Sequence, residues 1–135
     1  MSDKSQDRKF EKAARAAEKL GIMRAQRHVS MCCDTKESDC ASAKDMHASW
    51  KHLKKCTKDL KSRGVHVYRS KSLCFDICDG GPIMVVQPDG VWYGNCTPEV
   101  IDRIVDEHLI GGNVVEEFVI ARCGFCHSHA GSETK

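Results

Sequence analysis

Two cysteines, Cys74 and Cys78, lie four positions apart in a loop that ends in Gly80-Gly-Pro82. Residues 83–87 follow this loop as a short apolar run. Thiolates in a loop that enters a strand are typical of half of a metal site, because sulfur binds zinc and the iron of iron–sulfur clusters strongly. The other half requires further cysteines that the fold brings close. The candidates are Cys32, Cys33 and Cys40.

The cysteine content favours metal or redox chemistry over disulfide bonding. The chain of 135 residues is long enough for one domain with its own core, and it contains nine cysteines, an odd number. Residues 1–9 are polar and charged, without the apolar centre of a secretory signal, and no run is long enough to span a membrane. We therefore expect a cytoplasmic protein without a membrane partner, in a compartment that keeps thiols reduced.

The net charge of +2 conceals an uneven distribution of charged residues. Residues 1–64 contain 16 Lys and Arg against 9 Asp and Glu, a charge of +7, whereas residues 65–135 contain 5 against 10, a charge of −5. This asymmetry favours docking to a charged partner or pairing of two copies, although two solvated surfaces explain it equally well.

The strands and helix predicted for residues 27–68 indicate how Cys74 and Cys78 come close to the cysteines of residues 32–40. Residues 27–31 alternate as a strand does, residues 43–63 have helical apolar spacing, and residues 65–68 alternate again. A strand–helix–strand unit almost always crosses over right-handed and makes its strands parallel. Ligands gather beyond the carboxyl ends of parallel strands, so thiols that follow these strands meet at one edge and suit zinc or an iron–sulfur cluster. The cysteines in question are Cys32 and Cys40 after the first strand, and Cys74 and Cys78 after the second.

The second half of the chain predicts two further strands and a helix. The strands are residues 83–87 and Val91–Tyr93, joined by a Pro-Asp-Gly turn. Thr97 is a favourable N-cap for a helix that begins at Pro98 and ends at Gly111. The order β-α-β followed by β-β-α predicts an α/β, thioredoxin-like fold with a mixed sheet flanked by helices. The helix stripe expected to be buried is Val100, Ile101, Ile104, Val105 and Leu109.

The two ends of the chain are expected to lie outside this domain. Residues 1–26 predict a basic helical extension, residues 27–120 the domain, and residues 121–135 a tail with the pattern Cys-x2-Cys-His. This pattern formally matches haem attachment, but without an export signal a dithiol, a second zinc site or a tail that merely contains thiols fits better. The possible ligands in the tail are Cys123, Cys126, His127 and His129.

Several separate motifs keep a fixed order along residues 27–120. They are His28-Val-x-x-Cys32, Cys74-x3-Cys78-x2-Gly-Pro82, Pro88-Asp-Gly-Val-Trp-Tyr-Gly94 and Ile104-Val-x-Glu-His-Leu-x-Gly-Gly112. In this order they closely resemble the thioredoxin-like [2Fe-2S] ferredoxins, whose domain also occurs in the small cluster-carrying subunit of NADH dehydrogenases and hydrogenases.

The resemblance implies a one-electron carrier that has no catalytic residues and binds one [2Fe-2S] cluster. Such a protein passes electrons between a reductase and an acceptor enzyme and is often a homodimer. Carried over by motif, the cluster ligands are Cys32, Cys40, Cys74 and Cys78, with the adjacent Cys33 as the rival of Cys32. The four aspartates beside these ligands are expected to lower the reduction potential. Together with Glu37 they are expected to contact the redox partner. These acidic residues are Asp34, Glu37, Asp39, Asp76 and Asp79.

The alternative interpretation is a structural zinc-binding module whose basic helix, from Lys51 to Lys61, contacts nucleic acid. The acidic second half of the chain and the lack of a basic and aromatic surface argue against nucleic acid as the partner. Among the other residues, Cys56 is expected to pack against the core and Cys96 to be an inert thiol. His108 is expected near a helix C-terminus, without a catalytic role.

Overall fold

A five-stranded mixed sheet forms the centre of the structure, a computed structural model that describes residues 4–32, 42–73, 75, 77 and 80–123. The strands are β1 Arg27–Cys32, β2 Val67–Ser72, β3 Met84–Gln87, β4 Val91–Tyr93 and β5 Val119–Arg122. They stand in the order β2-β1-β3-β4-β5. The pair β1 and β2 is parallel, as the predicted crossover requires, and the other neighbours are antiparallel.

The helices are α1 Lys4–Leu20, α2 Ala43–Ser62 and α3 Pro98–Arg103, which continues as a π-helical segment, Ile104–Ile110. The N-cap predicted at Thr97 is confirmed, because its Oγ1 accepts a hydrogen bond from the N–H of Val100 at 3.3 Å. Short 3₁₀ turns occupy Ile22–Arg24 and Glu116–Phe118. The predicted α/β architecture is thus confirmed.

One hydrophobic core joins the sheet to α2 and α3. All five apolar positions predicted on α3 and its continuation are buried. The helical apolar spacing predicted for residues 43–63 comes from five positions, of which four are buried on α2 and the fifth, Cys56, is half-buried at the border of the core. The buried positions of α2 are Met46, Trp50, Leu53 and Leu60, and the sheet adds Val29, Met31, Met84, Val86 and Tyr93. Helical periodicity therefore identified the buried surfaces of both helices correctly.

The second strand begins two residues later and ends four residues later than predicted, at Val67–Ser72. Val65 does not enter the sheet, because its N–H donates to the carbonyl of Leu60 at 2.9 Å and closes the end of α2. The polar second half of β2 is a strand because it pairs with β1 as far as Ser72, which lies opposite Cys32. Pairing with a neighbour, rather than alternation in the sequence, sets this strand's length.

The first helix exposes its apolar residues. Ala17 is its only half-buried residue, and the side chains of Phe10 and Leu20 are 77% and 61% exposed. The apolar residues of α1, most of them alanines, therefore bury little surface against the domain. In the part of the chain that the structure describes, α1 included, no helix is long and apolar enough to cross a membrane.

Candidate metal centre

Cys32 lies at the edge of the sheet where the metal site is predicted. It is the last residue of β1 and pairs with Ser72, the last residue of the parallel strand β2. Leu73 and the loop with the Cys-x3-Cys motif therefore begin at the same edge at which Cys32 ends its strand. The Cys32 side chain is only 1% exposed, so its sulfur is shielded from bulk water.

The described residues of the Cys-x3-Cys loop pack beside Cys32. Phe75 and Ile77 contact a small apolar cluster formed by Cys32, Met46 and Ile83. The ring of Phe75 also meets the ring of Trp92 edge to face, with centroids 5.1 Å apart. These two loop residues therefore lie beside the end of β1, while the predicted meeting of the cysteines stays a prediction. The remaining thiols of the prediction, Cys33, Cys40, Cys74 and Cys78, lie outside the described residues.

The Cys32 sulfur accepts a backbone hydrogen bond. The N–H of Ile83 donates to Cys32 Sγ at 3.1 Å, and the N–H of Cys32 donates to the carbonyl oxygen of Ile83 at 3.0 Å. An N–H group directed at sulfur stabilises negative charge there, which is what a thiolate ligand of a metal requires. The apolar run after the loop thus supplies a charge-stabilising donor, the N–H of Ile83, as well as a strand.

The last residues of the Cys-x3-Cys loop, at Gly80, contact the segment that follows β4. The N–H of Asn95 donates to the carbonyl of Gly80 at 2.6 Å. A Cβ atom on Gly94 would lie 3.0 Å from both this carbonyl oxygen and Cγ2 of Ile120. Glycine at position 94 therefore permits a close approach of two backbone segments that a side chain would push apart.

Cys96 has the properties expected of an inert thiol. It is fully buried, and its Sγ–H donates to the carbonyl oxygens of Tyr93 and Gly94 at 3.7 Å each. Burial raises the pKa of Cys96 strongly, and negative charge on Cys32 raises it further. Cys96 is therefore protonated at neutral pH, as expected of an inert, fully buried thiol.

A buried series of hydrogen bonds connects the motif of residues 88–94 with the motif of residues 104–112. His108 is fully buried, and its Nε2 lies 2.6 Å from Asp89 Oδ2, while its Nδ1 lies 2.8 Å from the Tyr93 hydroxyl. The N–H of Val115 donates to that hydroxyl oxygen at 3.0 Å, and Arg27 Nε donates to Asp89 Oδ2 at 3.2 Å. One tautomer satisfies every group: the imidazole donates from Nε2 to the carboxylate and accepts the Tyr93 proton at Nδ1.

The sequence analysis did not predict these hydrogen bonds, because it placed His108 near a helix C-terminus and gave it no partner. The available signal was a histidine among the apolar residues of the π-helical segment that continues α3, since a buried polar side chain needs a partner. The pKa of Asp89 is lowered in the fold. Burial on its own raises this pKa, but the hydrogen bond from His108 and the charge of Arg27 outweigh it. The carboxylate is therefore held ionised inside the structure.

Most of the acidic residues and tail ligands predicted from the sequence lie outside the residues that the structure describes. The acidic residues expected beside the cluster ligands, Asp34, Glu37, Asp39, Asp76 and Asp79, are not among the described residues, and neither are Cys126, His127 and His129 of the tail. Cys123 is described and half-buried, and its N–H donates to the carbonyl of Gly90 at 2.8 Å.

Comparison with known proteins gives short but close sequence matches. No protein-family model matches the chain. A 2Fe-2S ferredoxin of Aquifex aeolicus (strain VF5) is 53% identical over 49 residues, which are 36% of this chain and 44% of that protein. A 2Fe-2S ferredoxin of Clostridium pasteurianum is 44% identical over 64 residues, which are 47% of this chain and 60% of that protein. The chain thus spans about half the length of these curated relatives.

The solved structures extend the match to 73% of this chain. A structure of the wild-type thioredoxin-like [2Fe-2S] ferredoxin from Aquifex aeolicus matches with a TM-score of 0.62 and 30% identity, covering 73% of this chain and 99% of that one. Another structure of that ferredoxin has a TM-score of 0.65 and 28% identity, covering 73% of this chain and 93% of that one. Sequence identity and structural similarity therefore agree, and the chain belongs to the thioredoxin-like [2Fe-2S] ferredoxin family.

Proposed function

We propose that this protein is a one-electron carrier that holds one [2Fe-2S] cluster through Cys32, Cys40, Cys74 and Cys78. It would pass electrons between a reductase and an acceptor enzyme, without bond chemistry of its own. The observation that carries the proposal is the buried Cys32 at the end of β1, next to the loop residues Phe75 and Ile77. The family membership supports the nature of the cofactor.

The residues near Cys32 fit an iron–sulfur cluster. Four cysteine thiolates are the usual ligand set, and the bound cluster would supply the iron that gains and loses the electron. The N–H of Ile83 withdraws charge from the Cys32 sulfur and so favours the reduced state. The acidic residues beside the other ligands act in the opposite direction, and their number favours a low potential.

An absorption spectrum and metal analysis of the purified protein test the proposal. We expect a red-brown protein with two iron atoms per chain, as the cluster formula requires. A colourless protein that contains zinc instead would contradict it and restore the zinc-module interpretation, which the ferredoxin relatives do not favour. We place the carrier in the cytoplasm, because unpaired thiols persist in a reducing compartment. Size-exclusion chromatography distinguishes a monomer from the homodimer that is common in the family.

The acidic residues beside the ligands are proposed as the docking surface for a basic region of the redox partner. Asp76→Lys or Asp79→Lys should slow association with the partner by about threefold or more at low salt, because exposed charges steer encounter. Cluster content should stay unchanged. Stopped-flow electron transfer at several salt concentrations measures this effect, which weakens once the Debye length falls below about 10 Å.

The rival docking surface is a basic groove of about 930 Å³ between α1, α2 and β2. Its cationic lining includes Lys54, Lys55, Lys58, Lys61, Arg69 and Lys71, and Cys32 is not part of it. Both surfaces predict slower transfer at high salt, so the mutants must separate them. If Lys54→Glu combined with Lys58→Glu slows transfer and Asp76→Lys does not, docking through the acidic residues is wrong.

A further inference from the structure

Three side chains of metal-binding types meet between α2 and α3, separate from the cysteines proposed for the cluster. His52 and Cys56 lie one turn apart on α2, and Asp102 lies on α3, which packs against α2. His52 Nε2 is 2.7 Å from Asp102 Oδ1, and Cys56 Sγ is 3.8 Å from the same oxygen. One donor atom from each of the three side chains lies within 4.8 Å of the other two.

These separations are close to those of a tetrahedral zinc site. With Zn–S near 2.3 Å and Zn–N or Zn–O near 2.1 Å, the donor atoms of such a site lie about 3.3–3.6 Å apart. The distances from Asp102 Oδ1 to His52 Nε2 and to Cys56 Sγ, 2.7 Å and 3.8 Å, fall on either side of this range. The Asp102 side chain is 59% exposed and can move, whereas spacing of four residues on one helix already places His52 and Cys56 on the same face.

The surroundings of Cys56 are electrostatically suited to a cation. The pKa of the Cys56 thiol is raised to about 11, first by burial and then by the charge of Asp102 and the hydrogen bond to it, with smaller contributions from Asp106 and Asp59. Three carboxylates near one sulfur oppose a thiolate on its own but attract a divalent ion. A divalent ion bound there would offset the negative charge of these carboxylates.

We propose that His52, Cys56 and Asp102 form a zinc site that links α2 to α3, with water as the fourth ligand. Binding would join zinc to Cys56 Sγ with release of the thiol proton to solvent, to Nε2 of His52 with its proton on Nδ1, and to a carboxylate oxygen of Asp102. The exposed Asp102 leaves a path for the ion and its water. This site is independent of the proposed electron-carrier function, because it uses none of the four cluster cysteines.

Protection of Cys56 from alkylation tests the site at a single residue. The purified full chain is treated with a maleimide in the presence and absence of Zn²⁺, and the peptide that contains Cys56 is quantified by mass spectrometry. We expect Zn²⁺ to slow modification of Cys56 in the wild type, because a coordinated sulfur is not available as a nucleophile. Zinc held by the tail or by the cluster cysteines does not affect this readout.

Variants of the other two ligands make the test specific. His52→Gln and Asp102→Asn should raise the Zn²⁺ concentration needed for half-maximal protection by at least about tenfold. Asp102→Asn keeps the side-chain shape at an exposed position, so loss of folding does not complicate it. His47→Gln is the matched control, since it makes the same change at an exposed histidine of α2 and should keep the protection. Equal protection in Asp102→Asn and wild type, or none in the wild type, would overturn the site.

Discussion

Replacement of Cys32 by serine is expected to remove most of the iron and most of the visible absorption from the purified protein. A serine hydroxyl stays protonated at neutral pH and is a poor substitute for a soft thiolate. The substitution also leaves the N–H of Ile83 without the sulfur to which it donates. Iron analysis and absorption spectra measure the effect. The same loss, or a strongly altered spectrum, is expected for serine at Cys40, Cys74 or Cys78.

Serine at the adjacent position is the sharpest control. Cys33→Ser changes the same type of side chain one residue further along and should retain the cluster. If Cys33→Ser loses iron and Cys32→Ser keeps it, the ligand is Cys33, and the assignment of Cys32 is wrong. Cys56→Ser should also retain the iron, because Cys56 lies on α2 against the core rather than among the cluster ligands. Circular dichroism confirms that each variant is folded.

The Asp89→Asn variant is expected to have a free energy of unfolding about 2–3 kcal/mol lower than the wild type. The change preserves shape but removes the negative charge that His108 and Arg27 share. The Asp89 side chain is 21% exposed, so water compensates only in part. In a domain of this size, such a loss lowers the thermal midpoint by roughly 10 °C, which circular dichroism of the iron-loaded protein measures.

The pH dependence of this difference has a defined sign. Since the pKa of Asp89 in the fold is lowered below its ordinary value of 3.8, the carboxylate stabilises the protein above that value. The contribution is lost as pH falls through the lowered pKa. The difference between wild type and Asp89→Asn should therefore be largest near neutral pH and shrink below about pH 4. A difference that grows on acidification would contradict this assignment.

Tyr93→Phe is the companion variant at the other end of the chain of hydrogen bonds. It removes only the hydroxyl between His108 and the N–H of Val115 and should cost about 1–2 kcal/mol. Asp89 and Tyr93 both form hydrogen bonds with His108. The double variant should therefore lose less free energy of unfolding than the sum of the losses in the two single variants. If the two losses of unfolding free energy were strictly additive, the His108 imidazole would not couple Asp89 to Tyr93.

Local patterns determined much of the fold. Apolar spacing identified the buried surfaces of α2 and α3, and the helix cap at Thr97 was read from residue types alone. These features depend on residues within a few positions of one another, where helical geometry leaves little choice. The position of the Cys-x3-Cys loop near the end of β1 was also predictable, because a β-α-β crossover makes the two strands parallel and so ends both at the same edge of the sheet.

Tertiary contacts decided the features that sequence patterns missed. The polar half of β2 is a strand because it pairs with β1, and β5 is a short edge strand, half-buried at Val119 and otherwise exposed, beside β4. The bond of Asp89 to His108 and the convergence of His52 and Cys56 on Asp102 likewise join residues from separate elements. No periodicity encodes such pairs, because each exists only after hydrophobic burial has brought the elements together.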